Sequence, residues 1–309
     1  MSIISKNNTN HKVVKMNEIE KRKVVEHNDL ISSVAKMDKT PLKIFELAVS
    51  CIDTENPPKD NIIYLSKKEL FRFFKVSDND KHSRFKHAIE VMQKQAYFNI
   101  RQNKELGIEY ESIVPIPTVK WNSYNDDVFI RFNPDIMPYL IDLKNNFTQY
   151  ALSDVMELNS KYSIILYKWL SMNFNQYEHY SHKGGRRKEQ LEEYANPSIK
   201  ISELRQLTDT VNEYKKFPDF RKKTIDIPIE EINRHTHFMV TYEKIKKGRS
   251  IDSIQFHIAK KEQPIELNGE YKEREQDPAY LQGKVNKEVT QQALFAEAMQ
   301  SLYTTSLLE

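Results

Sequence analysis

Residues 215–258, KKFPDFRKKTIDIPIEEINRHTHFMVTYEKIKKGRSIDSIQFHI, decide the fold: a basic helix runs into a basic hairpin. Phe217, Phe220, Thr224, Ile225, Ile229 and Ile232 recur at helical spacing, so one face of the helix packs on a core. Lys215, Lys216, Arg221, Lys222 and Lys223 occupy the rest of its first half, opposed there by Asp219 alone, and Arg234 lies near its end. Two extended runs, 238–245 and 251–258, then flank the turn Lys246-Lys247-Gly248-Arg249-Ser250. A helix with outward cations suits a DNA major groove, and a hairpin with a cationic tip suits the phosphates beside it. Arg221 is the first choice for gripping a guanine edge in two places. Pro228 falls inside the apolar stripe, where it either kinks the helix or splits it; the spacing leaves both open.

Upstream, Ile201-Ser202-Glu203-Leu204 starts a short helix, and before it Ser160-Lys161-Tyr162 opens a strongly apolar one through Ile164, Leu166, Tyr167, Trp169, Leu170 and Phe174. The same order occurs earlier in the chain. Thr40-Pro41 starts a helix with Leu42, Phe45, Val49 and Ile52 on one stripe, ended by Asn56-Pro57-Pro58. Ser66 and Glu69 form a capping box for a short second helix. After a turn at 76–80, a third helix carries Phe85, Ala88, Ile89, Met92 and Ala96, and the runs 97–101 and 108–113 follow around Gly107 as a strand pair. A further extended run, 127–132, precedes a short helix at 134–143. Three helices and then two strands, twice, predict an α+β protein of two tandem winged-helix domains. In the first copy Lys81, His82, Ser83, Arg84 and Lys86 are the candidate DNA contacts; Asp78 and Asp80 oppose them, which favours holding phosphates over reading bases.

The expected boundaries are a flexible arm at 1–26, a first winged-helix domain at 27–146, a second at 147–262, and a linker and tail at 263–309. In the tail, Val289, Ala293, Ala296, Met299 and Leu302 suit an amphipathic helix that docks on the body or on a partner.

Composition narrows the classes. A net charge of +3 does not argue for nucleic-acid binding, so the local clusters must carry that case. The single cysteine, Cys51, excludes a disulfide within the chain and is expected to be a small core residue. Neither a signal peptide nor an apolar run long enough for a membrane is visible, which places the protein in the cytoplasm. No Gly-x-x-x-x-Gly-Lys-Ser/Thr loop occurs, and no nucleotide or other cofactor is expected. His179 and His182 lack companions at metal-ligand spacing. His235-Thr236-His237 with Tyr242 superficially resembles the metal pair and tyrosine of a rolling-circle nuclease, but the middle residue is polar and Tyr242 falls in a wing strand. No catalytic residue is assigned, and the chain reads as a binding protein rather than an enzyme.

HNDLISSVAKMDKTPLKIFELAVSCIDTENPPKDNIIYLSKKELFRFFKVSDNDKHSRFKHAIEVMQKQA (27–96), ALSDVMELNSKYSIILYKWLSMNFNQYEHY (151–180) and EEINRHTHFMVTYEKIKKGRSIDSIQFHI (230–258) resemble RepB-type initiators of theta-replicating plasmids from low-GC Gram-positive bacteria. The resemblance spans roughly residues 27–261. It implies binding to directly repeated sites (iterons) at a plasmid origin, with a reading helix at 217–234, a wing turn at 246–249 and an N-terminal counterpart at 81–86. It further implies a monomer that helps open the origin and a dimer, formed through the N-terminal domain, that represses its own gene. Implied partners are origin DNA, a second copy, the host initiator, and the replicative helicase or its loader. The residues alone leave a plain winged-helix repressor open, since both proteins simply bind DNA.

Overall fold

The computed structural model describes residues 21–261 apart from 55, 74–80, 123, 142, 144 and 145. The arm up to residue 20, the turn at 76–80, and the linker and tail from 263 lie outside the described residues. In chain order the elements are β1 (Lys23–His27), α1 (Asn28–Ile31), β2 (Val34–Lys36), α2 (Lys39–Val49), β3 (Ile62–Ser66), α3 (Lys67–Phe73), α4 (Lys81–Gln95), β4 (Tyr97–Lys104), β5 (Gly107–Ile113), β6 (Thr118–Lys120), β7 (Asp127–Arg131) and β8 (Phe147–Ala151). There follow α5 (Leu152–Glu157), α6 (Lys161–Lys183), α7 (Lys188–Ala195), β9 (Ser198–Lys200), α8 (Ile201–Leu207), α9 (Phe217–Arg221), a π turn (Lys222–Asp226), α10 (Ile227–His235), β10 (Phe238–Lys247) and β11 (Ser250–Lys260).

The winged-helix plan is present twice, and strand pairing makes the equivalence explicit. In the second domain α6 is followed by β9, α8, the third helix and the hairpin β10–β11, with sheet order β10-β11-β9. In the first domain α2 is followed by β3, α3 and α4, and the strand before the second helix joins a sheet of order β3-β7-β6. The first domain's wing is therefore β6–β7. The strand pair expected to be that wing, 97–113, is instead an inserted hairpin, β4–β5, whose inner strand pairs with β2. Sequence order alone cannot separate the two hairpins, because both follow the third helix. The choice is made by the register of β3 on β7, in which Ile63 faces Ile130 and Leu65 faces Val128, all four buried.

A second correction concerns the arm. Residues 23–26 are not loose: they form most of β1, which pairs antiparallel with β8, 120 or more residues away in the chain. Val24 and Glu26 are fully buried there. Local capping is as expected at α3, where Ser66 and Glu69 exchange side-chain and backbone hydrogen bonds. The first helix begins slightly earlier than expected, at Lys39, with Asp38 before it.

Pro228 does not split the third helix. Helix continues from Phe217 to His235 because the turn just before the proline is a π turn, with the Ile227 N–H bonded to the Lys222 carbonyl five residues back. In a regular helix the proline ring strikes the carbonyl four residues behind it; one extra residue in the turn opens that position.

α6 is the spine of the second domain. Leu166, Tyr167, Trp169, Leu170 and Phe174 are buried, with Trp169 against Phe256 and Phe174 against Phe238. Each fully buried apolar side chain of this size contributes about 1.5–3 kcal/mol. One charge is buried among them. Lys168 Nζ lies 2.8 Å from Glu26 Oε2 on β1 and 2.6 Å from Glu46 Oε1 on α2. Tyr150 on β8 donates to the other Glu46 oxygen at 2.6 Å. Four elements thus meet on one buried ionic cluster.

Candidate nucleic-acid interface

The helix-turn-helix of the second domain is held by Arg205, a residue that spacing did not single out. Its guanidinium stacks 4.1 Å from the Phe220 ring centre and donates to the carbonyls of Thr210, Glu213 and Tyr214 at 2.9–3.1 Å. Those carbonyls lie in a turn strained enough to place Asp209 and Tyr214 at φ of 54° and 44°. Arg205→Ala is expected to cost about 1–3 kcal/mol of stability in thermal unfolding. Arg205→Lys is expected to restore little of it, because an ammonium lacks the flat fork.

With the turn fixed, Phe220, Thr224, Ile225, Ile229 and Ile232 face the core as the spacing predicts. Lys215, Lys216, Lys222 and Lys223 are exposed and form no ion pair with another described residue. Arg221 is held differently. Its Nε donates to Asp226 Oδ2 at 3.0 Å, and Asp226 Oδ1 accepts the Tyr242 hydroxyl of β10 at 2.6 Å. Burial, together with that bond, pushes the Tyr242 phenol up to about 12. The Arg221 side chain remains 36% exposed, and its two terminal nitrogens make no hydrogen bond to a described residue. Asp226 therefore orients Arg221 without covering it. The pair is five residues apart, a spacing that shares a face only because the π turn inserts one residue; regular helices bring i and i+4 together. Arg234, a candidate DNA contact near the helix end, lies 2.6 Å from Glu230 with both side chains in solvent, a pair of little energetic weight that leaves it accessible.

Tyr242 also ties the wing to the helix. Side chains alternate along a strand, so Lys244 shares the helix side of β10 with Tyr242. The strands run further than expected, to Lys247 and from Ser250, leaving Gly248 and Arg249 as a two-residue tip with Gly248 at φ 64°. Lys246, Lys247 and Arg249 are exposed there. Helix and hairpin cations thus belong to adjoining elements joined at the Tyr242–Asp226–Arg221 contact.

In the first domain Phe85, Ala88, Ile89 and Met92 of α4 are buried, and Ser83, Arg84 and Lys86 are exposed. Lys86 lies 3.9 Å from Glu90, a solvated pair of little energetic weight. Lys81 and His82 begin α4, and their side chains lie outside the described residues.

The residues of the nuclease alternative are committed elsewhere. His237 meets Asp154 at 2.6 Å, Asp154 also accepts the Tyr167 hydroxyl at 2.8 Å, and Thr236 is buried. Among the described residues no three His, Cys, Asp or Glu side chains converge on a metal position. Cys51 packs at the edge of the core, where its sulfur accepts from Arg22 at 3.0 Å and burial pushes its thiol up to about 11. No helix among the described residues is long and apolar enough to cross a membrane.

Two family profiles match this arrangement. The first, the Rep3 N-terminal region described as an initiator replication protein winged helix (WH1), covers residues 23–171. The second, its C-terminal partner described as an initiator Rep protein winged helix (WH2), covers residues 200–258. The chain belongs to the Rep3 initiator family. This Rep3 chain is 21% identical over 268 residues to the PI protein of Escherichia coli, covering 79% of its own length and 85% of the relative's. A replication initiation protein of Escherichia coli is 24% identical over 143 residues, 45% of this chain and 40% of that one. Among solved structures, the Pi initiator protein in complex with iteron DNA superposes with a TM-score of 0.61 at 19% identity, covering 79% of this Rep3 chain and 99% of that one. At that identity the likeness establishes the tandem winged-helix fold.

Proposed function

We propose that the protein initiates plasmid replication by binding directly repeated duplex DNA at the origin. The observation that carries this is the pair of exposed cation clusters, Lys215–Lys223 in sequence and Lys246 to Arg249, on the reading helix and wing of one domain tied together through Tyr242 and Asp226. Lys215, Lys216, Lys222, Lys223, Lys246, Lys247 and Arg249 neutralise phosphates, and Arg221 reads a base. Ser83, Arg84 and Lys86, with Lys81 and His82, position the first domain on the remainder of the repeat. Residues 147–262 do most of the reading; residues 27–146 supply the auxiliary contact and the dimer interface. Monomers on adjacent repeats bend the origin, at a cost of about 1–6 kcal/mol met by added contacts, and help open a neighbouring segment. Host initiator and helicase then assemble, and the dimer represses the gene. The protein acts in the cytoplasm, by binding and without a chemical step or cofactor of its own.

Footprinting on the cognate origin tests this. Wild type is expected to protect each direct repeat at regular intervals. Arg221→Ala is expected to lose about 1–3 kcal/mol of affinity and to discriminate less at one base pair. Protection that is equally selective in the variant removes Arg221 as the reader. A single protected inverted repeat, with no direct repeats, supports repression alone.

A further inference from the structure

α6 serves as a wall for both domains, and its period separates two faces. Ile165, Lys168, Met172 and Asn175 recur at steps of three and four residues and meet the first domain. Ile165 borders a small void with Leu30, Ala35 and Phe98, and Lys168 enters the Glu26–Glu46 cluster. The Ser32 hydroxyl reaches the Met172 sulfur at 3.5 Å, and the Asn175 amide donates to the Gln149 carbonyl at 2.8 Å. Trp169 and Phe174 lie on the other face, against Phe256 and Phe238 of the second domain's hairpin. A row of contacts along one helix joins two bodies along a line. Small shear and roll about such a line are the soft motions of packed helices.

A second tie between the domains is carried by neither face of α6. The Lys36 ammonium, on β2, donates to Asp209 Oδ1, in the turn between α8 and α9. Asp209 has φ 54°, a conformation that aspartate accepts more readily than most residues. Thr208 and Thr210 on either side of it are fully buried, with their hydroxyls 2.8 Å apart. This is the turn whose carbonyls Arg205 gathers, and it leads into the reading helix. The carboxylate that meets Lys36 is therefore built into the same turn that aims that helix. The two side chains are 32% and 29% exposed, so the pair contributes little to folding. Its place away from α6 is what lets it oppose a roll.

We infer that the Lys36–Asp209 pair sets the roll of the second winged helix about α6, and with it the spacing within the repeat at which both domains read together. The inference rests on the duplex-binding function above and adds what phases the two domains on one duplex. One base pair more or less between their contacts turns the duplex by about 35°, so a reader of fixed roll seats one domain at the expense of the other. Lys36 and Asp209 are positioning residues: they act through the turn and need touch no base.

Competition binding of the full chain tests this, on its own repeat and on repeats with one base pair inserted or removed at the junction of the two domains' footprints. Wild type is expected to bind the altered repeats about tenfold more weakly, the order of one mismatched base pair. Lys36→Ala and Asp209→Asn are each expected to lessen that penalty about two- to fivefold, which is what a partly exposed ion pair can oppose. The double variant is expected to match either single one, since both remove the same contact. Lys36→Arg keeps the cation and is expected to keep the full penalty. Thermal unfolding of each variant is expected to stay close to wild type. A penalty that persists undiminished in Lys36→Ala and Asp209→Asn overturns the inference, because α6 then fixes the roll unaided. Equal loss on all spacings overturns it as well, because the pair then serves binding or folding rather than phase. A wild type indifferent to spacing shows two independently seated domains and leaves the proposed function standing, whereas a wild type that does not bind its own repeat removes that function too.

Discussion

Lys168→Met is expected to destabilise the protein by about 3–5 kcal/mol, because it leaves two carboxylates in the core without their cation. Glu26 and Glu46 are fully buried and Lys168 nearly so, and Tyr150 is the other titratable group in the cluster. Burial of Lys168 opposes its charge, and the two carboxylates more than reverse that, raising its pKa. Two acids against one base leave an excess negative charge, and Glu26 carries the consequence. Burial first, and then the Glu46 charge, push its carboxyl from 4.5 up to about 7. The folded state therefore binds a proton more tightly than the unfolded chain. The stability that this proton supplies is fully present below pH 4.5 and is lost as pH rises through about 7. The loss is about 3 kcal/mol across that window. Glu26→Gln is accordingly expected to raise stability at pH 8 and to differ little from wild type at pH 5, while Lys168→Met is damaging at pH 8. Urea unfolding of the three proteins at both pH values measures this. Equal stability of wild type and Glu26→Gln at pH 8 would mean that the cluster does not hold an uncompensated charge.

Neutralising the second wing, with Lys246→Ala/Lys247→Ala/Arg249→Ala, is expected to lower affinity for repeat DNA about a hundredfold at ~0.15 M salt and the salt slope by about 2.7. Arg249 lies in the two-residue tip and Lys246 and Lys247 end β10 beside it, all three exposed, so their removal is expected to leave the fold intact. Competition binding at several salt concentrations separates the outcomes. A parallel loss at all salt concentrations means that the tip acts through shape rather than charge. An unchanged affinity means that the hairpin stands away from the duplex. The Arg221 variant differs in kind: its loss concerns one base pair and varies little with salt.

The apolar spacing of α6, α4 and the third helix was readable because each element's own period states which face is buried. Phe85, Ala88, Ile89 and Met92, and likewise Phe220, Ile225, Ile229 and Ile232, are buried as their spacing requires. The candidate cations were readable for the complementary reason: a lysine at a polar position of an amphipathic helix has nowhere to go but solvent. Arg221 was legible as a cation, but its orientation was not, since the π turn that aligns it with Asp226 has no helical period to betray it.

Two winged-helix domains, the helix and hairpin that carry cations in the second, and the polar face of the third helix in the first were all legible in the order of residues. These follow from periodicity, capping residues and turn residues, all of which act within one element. Contacts between distant segments, by contrast, make β6–β7 the first wing, pair residues 23–27 with β8 and bury Lys168 between Glu26 and Glu46. Each of these joins residues far apart in the chain. A strand's own pattern says which face it buries and is silent on which strand lies beside it; that is settled when the whole core packs.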